Sequence, residues 1–294
     1  MMKEKKAGSM KKNRRIGNTL GYILLIIISI IWLFPFFGLF MQSFRSFNPA
    51  VEYGGMVDYI IPKHFSLDNY KFLFSGETNF LLWYRNTAII ALFVSIGQTI
   101  MVLCVSYALS RMRFAGRTFL MRFWLILGMF PGFLTLICLY FLLKQFGLTQ
   151  AGAVPGLILV SVASSGMGYH VCKGYFDTLP MALDEAARID GATRARIFLI
   201  LTIPLSKPII IYTALVAFMA PWCDYVMASY IAFGNDKSYN VAVAMQRWIW
   251  TNDYQGYFTR FCAGGILVAI PVTILFLFLQ KYYVEGVTGG AVKG

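Results

Sequence analysis

Chemistry needs particular side chains at particular spacings, and few in this 294-residue chain meet that need. His64 and His170 lie far apart without ligand spacing, and Cys104, Cys138, Cys172, Cys223 and Cys262 form no C-x-x-C pair. Buried free thiols are the plain reading of the cysteines. No glycine is followed by Lys and then Ser or Thr, so the chain has no G-x-x-x-x-G-K-[ST] phosphate loop. No Ser/His/Asp set and no carboxylate pair falls within an apolar run. The chain is therefore expected not to be an enzyme. What remains is one carboxylate, Asp224, deep in an uncharged stretch and flanked by Trp222 and Tyr225, and one charged segment, Thr178 to Pro208, rich in Ala and Arg.

The elements that must position these residues follow from composition. Hydrophobic residues make up 58 % of the chain without glycine, against roughly 45–50 % with glycine for an average soluble domain. Only 13 % of residues are charged, and the mean hydropathy is +0.64. That is more apolar surface than one aqueous core hides, so the expected solvent is a lipid bilayer. A net charge of +13 would suggest nucleic acid in a soluble protein. Here the basic residues sit between apolar runs, and no nucleic-acid partner is expected.

Six uncharged runs are long enough to span: Ile16 to Phe44, Asn86 to Ser110, Phe123 to Leu143, about Ala151 to Cys172, about Pro208 to Phe233, and Phe261 to Gln280. Their lengths exclude transmembrane strands, so the expected fold is an all-α polytopic membrane protein with six transmembrane helices. The first run is too long for a signal-peptide core, contains Trp32 and Pro35, and lacks a cleavage site. It reads as an uncleaved span. Eighteen of the 26 Lys and Arg fall on the side that carries both termini and eight on the other, which places both termini in the cytoplasm. The expected organisation is a basic cytoplasmic tail (1–19), a six-helix transmembrane body (20–281) and a cytoplasmic carboxyl tail (282–294). Outer loops cover 45–85 and 234–260, and a cytoplasmic loop covers 178–207.

That cytoplasmic loop reads as two short helices. Pro180 suits a first helical turn with Thr178 or Leu179 as cap, and Met181 to Asp190 forms the first helix. Gly191 stops it, Thr193 caps the second, and Pro204 ends the second near Ile203. Leu183, Ala186 and Ala187 share a face, while Asp184 and Glu185 can each pair with Arg188. Such a segment either enters a groove on a partner or lies on the membrane surface as a linker.

The segment resembles the EAA loop of ABC importer permeases, E-A-A-x3-G-x9-I-x-L-P. Glu185-Ala186-Ala187, Gly191 and Pro204 match at the right spacing, with Leu201 and Ile203 as apolar swaps. Four further stretches resemble the smaller, six-span permease of the carbohydrate-uptake, maltose-type branch. They are Pro35 with Ser43-Phe44-Arg45, Phe65-Ser-Leu-Asp-Asn-Tyr70, Arg85-Asn86-Thr87, and the ending Gly289-Gly-Ala-Val-Lys-Gly294.

The resemblance implies an ABC type I importer permease fold with cytoplasmic coupling helices. Glu185, Ala186, Ala187, Asp190, Gly191 and Pro204 would dock on an ATPase subunit, and Gly290, Ala291, Val292, Lys293 and Gly294 would touch it a second time, unless that tail is simply frayed. It implies as partners a second homologous permease, two copies of an ABC ATPase, an extracellular solute-binding protein and a carbohydrate, expected to be an oligosaccharide. This chain would bind no cofactor, since ATP and Mg would be used by the partner ATPase. The location would be the bacterial cytoplasmic (inner) membrane, multi-pass. Asp224 would line the pathway with Trp222 and Tyr225 stacking on sugar, or these residues mark the outer interface. Trp248 and Trp250, in the stretch Asn240 to Trp250, would face the binding protein, or lie at the bilayer surface. Two alternatives stay open: an importer permease for a non-sugar solute, and an ion-coupled secondary transporter.

Overall fold

A backbone in lipid must satisfy its own polar groups, and uncharged runs rich in Leu, Ile, Val and Phe do so as helices. The computed structural model describes residues 2–48, 50–129, 132–250 and 254–291, with backbone alone for 2–16, 133, 250, 254–256 and 282–291. Its helices are α1 (Met2–Ser43), α2 (Asp68–Phe74), α3 (Phe80–Arg111), α4 (Arg117–Gly128), α5 (Gly132–Gln145), α6 (Ala153–Ala163) and α7 (Gly166–Asp177). There follow α8 (Met181–Ile189), α9 (Arg194–Ile197), α10 (Ile203–Leu205), α11 (Lys207–Cys223), α12 (Val226–Ile231), α13 (Val241–Trp250) and α14 (Tyr254–Ala291). Among the described residues the only β pairing is one isolated bridge, Arg45 to Phe65. The fold class is all-α.

Gly17–Ser43, Phe80–Arg111, Gln150–Asp177 and Tyr257–Lys281 are long and apolar enough to cross a membrane, and they cover the first, second, fourth and sixth uncharged runs. The third run is divided between α4 and α5. α4 closes at Gly128 and α5 opens at Gly132, and glycine weakens a helix. The fifth run also differs from one continuous helix: α11 ends at Cys223, Asp224 is extended, and α12 resumes at Val226.

The chain forms two compact units, Met1–Phe72 with Asn252–Ile266 and Leu73–Thr251 with Leu267–Gly294. In the first, two of the stretches that carry the family resemblance meet. Asn69 Nδ2 donates to the carbonyls of Ser43 (2.9 Å) and Arg45 (2.7 Å), and Tyr70 Oη lies 2.8 Å from Ser43 Oγ. Arg45, fully buried, donates to the Gly55 carbonyl and faces the Tyr59 ring. Glu52 accepts from Tyr59 Oη at 2.7 Å and from the N–H groups of Lys63 and His64 at 3.1 and 2.9 Å.

Burial pushes the Glu52 carboxyl up, but those hydrogen bonds and the Arg45 guanidinium outweigh it and hold the group below its ordinary value. A lowered folded value means the contribution is complete above the ordinary glutamate range and is lost as pH falls through the folded value. We expect protection of the Lys63 and His64 amides, relative to their intrinsic exchange at each pH, to fall only at the acid end of a titration from about pH 7 to about pH 3, and Glu52→Gln to lower it already at neutral pH. Hydrogen-exchange mass spectrometry of this loop checks both.

In the second unit α3 is the central element, with α6, α7 and α11 packed along it. Val102, Leu103, Tyr107 and Leu109 of α3 bury against Tyr169, Cys172 and Phe176 of α7 and Ile209 of α11. Two glycines permit other close approaches, α6 to α3 at Gly97 and α6 to the Leu148 turn at Gly156. A Cβ on Gly97 would stand 2.8 Å from Val162 Cγ2, and one on Gly156 would stand 2.1 Å from the Leu148 carbonyl oxygen. Backbone cannot rotate away as a flexible side chain can, so Gly156→Ala is expected to destabilise by about 1–3 kcal/mol. Thermal unfolding of the detergent-solubilised protein measures this, and an unchanged midpoint would show that the Leu148 turn yields freely.

At the other end of α3, Asn86 Nδ2 donates to the carbonyls of Lys237 (2.9 Å) and Tyr239 (3.1 Å), and Thr87 Oγ1 accepts from Val241 N–H at 2.8 Å. Trp83 Nε1 donates to the Asp236 carbonyl at 2.8 Å. The Arg85-Asn86-Thr87 stretch thus ties the loop before α13 to the start of α3.

Candidate functional site

The loop between α7 and α11 is built by local rules. α8 begins after Pro180, which occupies the cap position itself, and not Thr178 or Leu179 as the sequence suggested. The reason lies in α7: the Thr178 hydroxyl donates back to the Tyr175 carbonyl at 2.7 Å and closes that helix. Gly191, at φ +80°, ends α8. Its N–H reaches the Arg188 carbonyl at 3.0 Å and that of Ala192 reaches the Ala187 carbonyl at 2.9 Å, the paired bonds of a Schellman stop. Thr193 Oγ1 then accepts from Arg196 N–H at 3.3 Å and starts α9.

Pro204 does not end this second helix. The Ile203 N–H bonds the Phe198 carbonyl, a π turn spans Phe198–Thr202, and the path continues through α10 to Leu205. The wider turn makes room for a ring that would crowd a regular helix and lacks an N–H to complete one. The chain then bends by 82° into α11.

Asp184 also departs from expectation. It is 5 % exposed and pairs with Arg111 at the end of α3, 3.6 Å away, and not with Arg188. Arg111 Nη2 further donates to the carbonyls of Phe176 (2.7 Å) and Leu179 (2.9 Å), and the guanidinium touches Met181 Sδ. One buried guanidinium thus holds α3, the end of α7 and α8 together. Arg111 went unnoticed in the sequence because it looked like a flanking charge of the second span.

On the outward side of α8, Glu185, Ala186, Asp190 and Gly191 are exposed, Ala187 is half-buried, and Ile189 is 87 % exposed. A hollow of about 270 Å³ lies beside them, lined by Ala187, Asp190, Ala192, Arg196, Ile200 and Leu201 among others. Pro204 is exposed further along. A rigid, capped helix that presents a bare isoleucine and small alanines can seat in a complementary groove.

The second constellation surrounds Asp224. Pro221 has no N–H to give within α11, and the Asp224 carboxylate accepts Met227 N–H at 3.1 Å, drawing the backbone out of the helix. Asn240, buried, donates to the carbonyls of Pro221 (3.2 Å) and Asp224 (2.6 Å), replacing the bonds the break removes. A hollow of about 340 Å³ opens here, with Gln98, Ser161, Ser164, Asp224 and Asn240 among its lining residues. A second, of about 250 Å³, shares Gln98 and Ser164 and adds Ser165, Tyr212 and Thr213. Gln98 Nε2 donates to Ser165 Oγ at 2.6 Å where the two adjoin.

Of the three residues singled out around this position, Asp224 lines the hollow. Trp222 is 3 % exposed, its ring set against Tyr84 (centroids 5.1 Å apart) and Phe218 (6.1 Å), while Tyr225 is exposed. Gln98 and Asn240 were missed, because an isolated amide in a span or loop carries no spacing signal. Trp248 is 8 % exposed and packs on Phe80 and Trp83 at 6.3 and 5.9 Å. Trp250 ends α13, and its side chain lies outside the described residues. Gly290 and Ala291 belong to the backbone of α14, whereas Val292, Lys293 and Gly294 lie outside the described residues. Among the described residues no group of three His, Cys, Asp or Glu comes together to hold a metal ion.

Helices of membrane length, a polar hollow lined from α3, α6 and α11, and a loop that exposes a capped helix make this a polytopic membrane protein. The chain belongs to the family of binding-protein-dependent transport system inner membrane components, whose pattern matches residues 101–288. It is therefore a multi-pass protein of the bacterial inner membrane. It is 37 % identical to the galactooligosaccharides transport system permease protein GanQ of Bacillus subtilis (strain 168), over 97 % of this chain and 99 % of that one. It is 38 % identical to the maltodextrin transport system permease protein MalD of Streptococcus pneumoniae (strain ATCC BAA-255 / R6), over 97 % and 99 %. Its fold matches a chain of a bacterial ABC transporter involved in the import of the acidic polysaccharide alginate, with a TM-score of 0.72 at 23 % identity, covering 92 % of this chain and 97 % of that chain.

Proposed function

We propose that this chain is one of two transmembrane permease subunits of an ATP-driven importer for an oligosaccharide. The sugar is delivered by an extracellular solute-binding protein, the second permease is homologous, and two copies of an ABC ATPase dock on the cytoplasmic side. In this reading the chain crosses six times with both termini cytoplasmic, and α8 lies at that ATPase, with Glu185, Ala186, Ala187, Asp190, Gly191 and Pro204 forming the contact. The carboxyl tail from Gly290 to Gly294 adds a second one. The outer segment that includes α13, with Trp248 and Trp250 in its sequence, faces the binding protein. ATP and Mg act in the ATPase, and this chain binds no cofactor.

The observation that carries this reading is α8 itself: capped at Gly191, anchored by Arg111 and bare on its outward side at the positions of the EAA pattern. Identity of 37–38 % to permeases named for galactooligosaccharide and maltodextrin transport supports the choice of cargo. Mechanistically, closure of the ATPase dimer displaces α8, and Arg111 passes the displacement to α3, along which α6, α7 and α11 pack. Each ligand shifts the balance between two packings by its differential affinity for them. Asp224 and its hollow then line the route.

The test is a pull-down of the tagged chain from its native membrane in mild detergent, with co-purifying proteins identified and ATPase activity assayed. A homologous permease and an ABC ATPase are the expected companions. Recovery of this chain alone would contradict the assignment.

A further inference from the structure

The hollow at Asp224 has a composition that an apolar bundle does not need for packing. We propose that it is a subsite for one sugar unit of an uncharged oligosaccharide, contributed by this chain and selective against acidic sugars. This inference rests on the importer reading above and adds to it a place of contact and a class of cargo.

Volume and chemistry both favour a hydroxyl-rich occupant. About 340 Å³ lies at the lower end of the roughly 300–1,000 Å³ of small-molecule sites, which suits one ring of a chain and not a whole oligosaccharide. The lining offers acceptors and donors together: the Asp224 carboxylate, the amides of Gln98 and Asn240 and the hydroxyls of Ser161 and Ser164. A carboxylate has about four acceptor sites, and the N–H groups of Met227 and Ala228 take two of them. The remainder suit hydroxyl donors. Ile90, Val94 and Leu157 on the same walls give the apolar face of a ring something to lie against.

Charge sets the selectivity. Among the described lining residues Asp224 is the one ionisable group, and no Lys, Arg or His faces it to neutralise a second carboxylate. A hexuronate unit would bring a second negative charge into the hollow beside Asp224, whereas a hexose brings none. The adjoining hollow, across the Gln98–Ser165 bond, gives the next position along the same wall.

The experiment uses the complete complex in proteoliposomes with its binding protein, ATP on the ATPase side, and maltotriose, β-1,4-galactotriose and trigalacturonate as labelled probes. Three forms are compared: unaltered, Asp224→Asn and Ser161→Leu. Asn caps a helix as well as Asp does, so Asp224→Asn keeps the Met227 bond and removes only the charge. Ser161→Leu fills the hollow from a different helix and decides the matter if Asp224→Asn fails to assemble. Expected for the unaltered complex is ATP-driven uptake of a neutral trisaccharide at least about tenfold faster than trigalacturonate. Both variants are expected to lose about tenfold or more in sugar moved per ATP at saturating sugar, with thermal midpoints unchanged. Neutral uptake at the unaltered rate in both variants, or faster uptake of trigalacturonate, overturns the subsite and leaves the importer reading standing. No ATP-driven uptake of any of the three by the unaltered complex overturns the subsite together with the oligosaccharide reading.

Discussion

Replacing Gly191 by valine should cut sugar uptake per ATP by at least about tenfold while the protein still inserts and assembles. Gly191 holds φ +80° in the Schellman stop, and nothing lies within 4 Å of where a Cβ would stand. The penalty is therefore in the backbone, about 1–2 kcal/mol for a left-handed L-residue, and more for a β-branched one. That is enough to unravel the last turn of α8 and misdirect Asp190 and Ile189, the residues at its exposed tip. Asparagine accepts the same conformation far better, so Gly191→Asn should keep most of the coupling. Uptake and ATP hydrolysis measured on the same proteoliposomes check the pair. Equal losses in the two variants would show that any side chain at Gly191 obstructs the docked partner and that its dihedral angle is not the cause.

Breaking the Arg111–Asp184 pair should have the larger effect on stability. Arg111→Met leaves Asp184 buried without a counter-charge and strips donors from the Phe176 and Leu179 carbonyls. Removing one partner of a buried pair costs about 3–5 kcal/mol. The double change Arg111→Met with Asp184→Leu should recover part of that, because no charge is then stranded, although the two carbonyls remain unpaired. Transport should not recover with it, since the link between α8 and α3 is still missing. Thermal unfolding and uptake per ATP, measured on single and double variants, separate the two roles. A double variant with restored coupling would show that the ion pair holds the helices in place without transmitting their movement.

Much of the architecture was legible because its cause is local. Uncharged runs of about 20 residues have one solution in lipid, and Gly191 and Thr193 act on their immediate neighbours, so the stop and the cap of the coupling segment stand where their residue types put them. Asp184 shows where local reasoning ends. Its i,i+4 neighbour Arg188 was visible, whereas Arg111 lies 73 positions earlier in the sequence and meets it only once α3 and α8 pack. Pro204 shows a second limit, since a π turn can carry a helix past a proline and no residue pattern announced one. The hollow at Asp224 was half legible. The carboxylate stood out by its depth in an uncharged run, but Gln98 and Asn240 come from α3 and from the loop before α13. The aromatics misjudge most easily: Trp222 and Trp248 read as ligand- or partner-facing, and both lie against other rings.

The central claim is that ATP hydrolysed outside this chain drives transport through α8. The most direct measurement is uptake of a neutral oligosaccharide into proteoliposomes that hold the purified complex and binding protein, with either ATP or an ion gradient as the only energy source. Uptake with ATP alone, abolished by Gly191→Val while basal hydrolysis persists, is the expected result. Uptake by this chain alone, driven by an ion gradient and indifferent to ATP, would contradict it.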